Sequence, residues 1–241
     1  MSCLQHSGGP KGRISLFGRG KKQEIEFVEA NTFSSLDLPS LIKNQDWESV
    51  MHRLRINPLD AEEELNVTTR GGFAAMSGYM ALHYACERRP PVEVVEALIA
   101  ACPKALLSRA VPGGALPLHI ACTWYSTASA VNALIVADRS ACKVQDELGN
   151  LALHSACFSG IATPVVESLL RAYPKAVFAR NLQGSLPEDV VTRLRHENRR
   201  SVLALLHMCK EELMLKKQSK RGKSSGSMEG IANQAISLNE R

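Results

Sequence analysis

Between residues 80 and 215 the apolar positions of this chain fall into recurring blocks. Val94, Val95, Leu98 and Ile99 form one group, Val131, Leu134 and Ile135 a second, and Val165, Val166, Leu169 and Leu170 a third. Spacing of three and four puts each group on one face of a helix. Ahead of each stands a short and almost wholly apolar heptapeptide: M-A-L-H-Y-A-C (80–86), L-P-L-H-I-A-C (116–122) and L-A-L-H-S-A-C (151–157). Their histidines, His83, His119 and His154, lie 36 and 35 residues apart. A fixed period in this range predicts stacked copies of one small unit, each unable to bury its apolar face without a neighbour.

Each histidine follows a glycine by five residues, namely Gly78, Gly114 and Gly149. The unit therefore reads as a glycine turn, a short inner helix, a tight turn, a longer outer helix and an extended return loop. Pro103 and Pro174 mark the outer helix ends, because proline disfavours helical geometry in the residue before it. A fourth copy is degraded but in register: Gly184 follows Gly149 by 35 residues, Leu186 to Val191 occupy the heptapeptide places, and Asp189 stands where the histidine would be. Upstream, Ser40 to Ile42 predict a short helix and Asp46 to Leu54 an outer helix ending at Pro58. Pro58 and Pro103 are 45 residues apart, so about ten residues are inserted in the loop between Asp60 and Met76. Downstream, Leu203, Leu205, Leu206, Leu213 and Leu215 among dispersed charges predict a capping helix with a polar outer face.

These residues resemble the ankyrin repeat, whose pattern runs D-x-x-G-x-T-P-L-H-x-A-A before an outer helix carrying V-V and L-L. The resemblance spans roughly residues 36–215, and Asp146 and Asn181 keep the acidic or amide residue three before the glycine. It implies an all-α fold, a helix-turn-helix solenoid with β-turn or hairpin loops. The domain reading is a basic disordered tail over 1–34, a solenoid over 35–216 and a second basic disordered tail over 217–241. Within the solenoid, a capping unit covers about 35–76, repeats cover about 77–112, 113–147 and 148–182, and a C-terminal capping repeat covers 183–216. The family's threonine, a helix N-cap, is replaced by Met80, Leu116, Leu151 and Leu186, a loss on the order of 1 kcal/mol per copy.

Composition sharpens this picture in two ways. The chain has 45% hydrophobic but only 5% aromatic residues, which predicts a core of Ala, Leu and Val. Its net charge of +5 is unevenly placed: Lys11, Arg13, Arg19, Lys21 and Lys22 near the start and Lys216, Lys217, Lys220, Arg221 and Lys223 near the end are ten positives, and removing them leaves −5 on the remainder of the chain. Tails rich in Gly, Ser and Lys do not offset the entropy of ordering. The first twenty residues lack the apolar segment of a secretory signal, and no apolar run approaches membrane-spanning length. The expectation is an intracellular, cytoplasmic, monomeric protein with no membrane association, with the run Lys216 to Lys223 as a nuclear-import candidate. Seven cysteines in such a chain read as reduced thiols.

The triplicated H-x-x-C pairs His83/Cys86, His119/Cys122 and His154/Cys157 invite a metal or thiol-enzyme reading. Neighbouring inner helices lie about 8–10 Å apart, whereas zinc needs four ligands within about 2.3 Å, so packing is the stronger reading and the cysteines stand in for the family's buried alanine. No phosphate-cradling loop, nucleophile elbow or paired-carboxylate signature appears. The expectation is a non-enzymatic chain with no cofactor and no metal.

What remains is a protein-binding surface. In ankyrin proteins the residues around the glycine turn and just after the inner helix line the concave face, and register carries these roles to Met76, Ser77, Tyr79, Glu87 and Arg88; to Pro112, Gly113, Ala115, Thr123 and Trp124; and to Glu147, Leu148, Asn150, Phe158 and Ser159. Trp124, Phe158 and Tyr79 suggest an exposed aromatic row, the kind of anchor that interfaces favour; the competing reading makes Trp124 a lid on the inter-helix turn. The alternative function is a nuclear or nucleic-acid-associated regulator whose tails set location. The absence of aromatics between the lysines argues against single-strand binding.

Overall fold

The computed structural model describes residues 36–65, 72, 77–194 and 197–237, with side chains as far as 219. Among the described residues ten α-helices run α1 Leu38–Asn44, α2 Trp47–Ile56, α3 Ala81–Glu87, α4 Val92–Ala101, α5 Pro117–Thr123, α6 Ala128–Ala137, α7 Ala152–Ser159, α8 Thr163–Ala172, α9 Pro187–Arg193 and α10 Arg199–Ser237. The described residues hold no strand, only isolated antiparallel bridges. None of their helices is long and apolar enough to cross a membrane. The expected all-α class holds.

The helices form two rows. The short odd-numbered helices pack in chain order, α1 on α3, α3 on α5, α5 on α7 and α7 on α9. The longer even-numbered ones do the same, α2 on α4, α4 on α6, α6 on α8 and α8 on α10. Between the rows lies one continuous core in which Ala81, Ala85, Ala121 and Ala152 are fully buried beside Leu82, Leu98, Leu118 and Leu134. Small residues on the inner helices let neighbouring backbones approach, which explains a core of alanine and leucine with few rings.

Outer helices end where the prolines require, but the chain does not then run straight into a loop. It makes a five-residue 3-10 turn at Pro58–Glu62, Pro103–Leu107, Arg139–Lys143 and Pro174–Phe178. Three turns open on proline; the third opens on Asp138, whose Oδ1 accepts from the Ser140 amide at 2.8 Å. Each turn plants one alanine in the core, Ala61, Ala105, Ala141 and Ala176, none more than 2% exposed. Outer-helix starts and 3-10 starts keep a constant offset in every complete copy, so the change of period from 36 to 35 is confined to the loop after the 3-10 turn, at 108–116.

That loop is a hairpin, and successive hairpins are tied tip to tip. The Val111 amide donates to the Ser77 carbonyl, Glu147 to Gly113 and Leu182 to Leu148, at 2.9–3.0 Å. Gly78 shows why this edge needs glycine: its φ is +65°, and a Cβ there would lie 2.1 Å from the Arg109 carbonyl oxygen.

At the C-terminal end the structure corrects the expected tail boundary at 216. Helix α10 continues to Ser237, 39 residues in all, or about 58 Å at the rise of an α-helix. Val202 and Leu206 are buried at its start, and extending a nucleated helix is far easier than nucleating one. The expected basic N-terminal tail lies outside the described residues.

Candidate functional site

The inner helices organise everything that can act here, and their two ends differ. At the N-terminal end each histidine works as a bridge. The His83 Nδ1 accepts from the Met80 amide at 3.1 Å, His119 Nδ1 from Leu116 at 3.2 Å, and His154 Nδ1 from Leu151 at 3.1 Å. The proton is therefore on Nε2, which donates to a carbonyl of the following hairpin: Ser108 at 3.0 Å, Asn150 at 3.0 Å and Ser185 at 3.3 Å. This supplies half of a capping box. The amide at N-cap is satisfied by the side chain three residues on, while Met80, Leu116 and Leu151 offer no oxygen in return.

All three imidazoles are buried, and burial holds their pKa below the usual value, in His83 down to about 4. Both ring nitrogens are committed to backbone partners. Cys86, Cys122 and Cys157 are at most 2% exposed, and burial pushes the thiols of Cys86 and Cys157 up to about 12 and raises that of Cys122 as well. A thiol held protonated in apolar surroundings is a poor nucleophile, so the H-x-x-C pairs act as packing and as ties between units. In the last copy Asp189 Oδ2 accepts from the Leu186 amide at 2.8 Å, keeping the local half of the histidine's work without a donor to pass onward.

The predicted partner-binding residues divide between two edges, because an inner helix of seven residues separates its ends by about 10 Å. On the hairpin edge Ser77 and Glu147 are exposed, Ala115 and Asn150 half-buried, and the Glu147 carboxylate accepts from the Gly113 amide. Pro112 and Leu148 are exposed at the tips and Gly113 half-buried between them. Met76 lies outside the described residues. On the turn edge, Arg88, Thr123 and Trp124 are half-buried and Phe158 is 62% exposed.

Three expected surface residues are buried. Tyr79 is 2% exposed and its ring stacks on His83 at 5.3 Å between centroids, so it is a core aromatic and not the end of an exposed row. Burial, with the Glu87 carboxylate nearby, raises its phenol pKa. Glu87 is 3% exposed. Ser159 is 5% exposed, its hydroxyl donating to the Cys122 carbonyl of the previous copy at 2.8 Å. A small residue stands there because it reaches back to the neighbouring helix end. Trp124 belongs partly to both readings: it packs against the core while remaining half-exposed.

The turn edge also holds a feature that residue types did not reveal. One or two residues past α1, α3, α5 and α7 the backbone turns left-handed, with φ of 58° at Gln45, 56° at Arg89, 60° at Tyr125 and 70° at Gly160, whereas Leu194 after α9 does not, at φ −107°. Only the last is glycine. Two of the others reach to the next copy: Gln45 Nε2 donates to the Arg88 carbonyl at 2.9 Å and Arg89 Nε to the Trp124 carbonyl at 2.9 Å. Behind Gly160 the pattern closes from the other side, where Asn198 Nδ2 donates to the Gly160 and Ile161 carbonyls. The register of Gly160 is the signal in the sequence that marks these four positions.

No family model matches the chain, and no curated protein matches it in sequence.

Proposed function

We propose that this chain is an ankyrin-type solenoid that binds a partner protein, with no catalytic step of its own. The observation that carries this reading is the contrast between copies. Helix pairing, hairpin ties and histidine bridges recur from unit to unit, while the three residues at the end of each inner helix change freely, Glu87, Arg88 and Arg89 in one, Thr123, Trp124 and Tyr125 in the next, Phe158, Ser159 and Gly160 in the third. Stacked repeats hold their shape with the shared positions and meet partners with the variable ones.

The test is a selection of random displayed peptides on the full chain, followed by binding measurements with a Trp124→Ala, Phe158→Ala double variant. Melting within about 1 kcal/mol of the parent together with at least tenfold weaker binding supports the reading. Failure to enrich any peptide, or binding indifferent to the double variant, removes it from this edge.

A further inference from the structure

We infer that Arg88, Arg89 and Tyr125 on the turn edge form a recognition site for a carboxylate-bearing segment of a protein partner, an acidic side chain flanked by an apolar one. This rests on the protein-binding reading above and gives it a chemical class.

Arg88 and Arg89 directly follow helix α3, and neither has an ion-pair partner among the described residues. Each guanidinium is nevertheless fixed in place. Arg88 lies 5.0 Å over the Tyr84 ring and Nη2 donates to the Tyr84 hydroxyl at 3.2 Å, while its Nε is buried with no hydrogen-bond partner among the described residues. Arg89 is held by its Nε bond to the Trp124 carbonyl and lies 5.4 Å over the Tyr125 ring. Its Nη1 and Nη2 donate to nothing among the described residues, and the residue is exposed.

A guanidinium pinned through Nε and laid on a ring keeps its terminal fork in one orientation. Such a fork matches the two oxygens of a carboxylate, and little side-chain entropy is left to lose on binding. Tyr125 supplies the adjoining apolar surface at 46% exposed. Its backbone is also strained: it sits at φ +60° where the third copy has glycine, a conformation costing roughly 1–2 kcal/mol for a residue with a Cβ. Arg89 uses the same strained slot to reach its neighbour's carbonyl, but the Tyr125 side chain makes no hydrogen bond among the described residues that would explain its place, and strain without a structural return is a feature of binding sites. Residues 35–215, which carry this cationic pair, are close to neutral, with 18 basic and 19 acidic residues, so the attraction the pair exerts on an anion is local.

Arg89→Gln is the decisive variant, because Gln45 already occupies the equivalent left-handed slot and makes the equivalent bond to the next copy. The substitution keeps the tie and removes the charge. Peptides enriched on the full chain are expected to carry Glu or Asp next to a large apolar residue, to bind at least tenfold more weakly to Arg89→Gln of unchanged melting temperature, and to weaken as salt rises from 50 to about 300 mM, as surface charge attraction does. Enrichment of neutral or basic peptides that still require Trp124 and Phe158 overturns this inference and leaves the protein-binding reading standing; no enrichment ends both. Replacing the selected Glu by phosphoserine tests the source of the anion: a gain of tenfold or more over the Glu peptide that is lost in Arg89→Gln assigns the site to phosphate instead. A 20-base-pair DNA duplex that displaces the peptide at comparable concentration and loses this ability in Arg89→Gln overturns the protein-segment assignment.

Discussion

The two ends of the inner helices obey different rules. At the hairpin end, glycine turns recur, the histidine bridges repeat in three consecutive copies and neighbouring tips are joined backbone to backbone. At the turn end the backbone repeats over the first four copies, with a left-handed residue in each, but its side chains are an amide, a guanidinium, a phenol and nothing. Where backbone conformation is shared and side chains are not, the fold has been served by the backbone, and the side chains are free to answer to something else.

The comparison breaks most severely at the hairpin end. Gly78→Ala sets a Cβ against the Arg109 carbonyl in a left-handed residue, and should lose about 3 kcal/mol or more in urea unfolding. His119→Leu is expected next, at about 3 kcal/mol by the same measurement, because it preserves bulk but strands the buried Leu116 amide and the Asn150 carbonyl.

The histidines also give a pH signature. Their folded-state pKa values lie below the ordinary 6.5, so on acidification the unfolded chain takes up protons first. Their contribution is complete above about pH 6.5 and is lost as pH falls toward the folded values, near 4 for His83, for which the loss is on the order of 3 kcal/mol. Melting temperature measured from pH 8 to 4 should stay level in the upper part and drop below 6.5, and His119→Leu should flatten the drop.

Smaller effects sharpen the contrast. Gly184 has a φ of +73°, but a Cβ added there would meet nothing within 4 Å among the described residues, so Gly184→Ala should lose only about 1 kcal/mol. At the turn end, Tyr125→Gly relieves strain and removes the Arg89 stack, and the two should cancel to within about 0.5 kcal/mol. A loss above 2 kcal/mol in urea unfolding would show that the ring belongs to the core and that the two edges are alike.

The period, the registers of the inner and outer helices and the proline stops were all legible in the residues, since each is a spacing of apolar or helix-breaking types. The 3-10 turns were not. Their signal was the alanine at 61, 105, 141 and 176, and alanine carries no preference distinct enough to announce burial. The left-handed turn was hidden because glycine marks it only at 160. Tyr79, Glu87 and Ser159 were assigned outward by register alone; register places a Cα but cannot tell that a ring will fold over His83 or that a serine will bond backward to Cys122. The continuation of α10 past 216 was missed because its composition, rich in Gly and Ser, argues against a helix taken by itself.

Asp189 gives the stack a direction and an end. Each histidine hands a proton-bearing nitrogen to the unit that follows, so a unit is always donor to the next and acceptor from the one before. A carboxylate has no proton to hand on: Asp189 accepts from Leu186 and the series stops there, with α10 laid over the last outer helix in place of a further copy. The number of modules is thus written into one side chain as a chemical full stop. Lengthening the array by grafting another unit requires Asp189→His together with a hairpin to receive its bond.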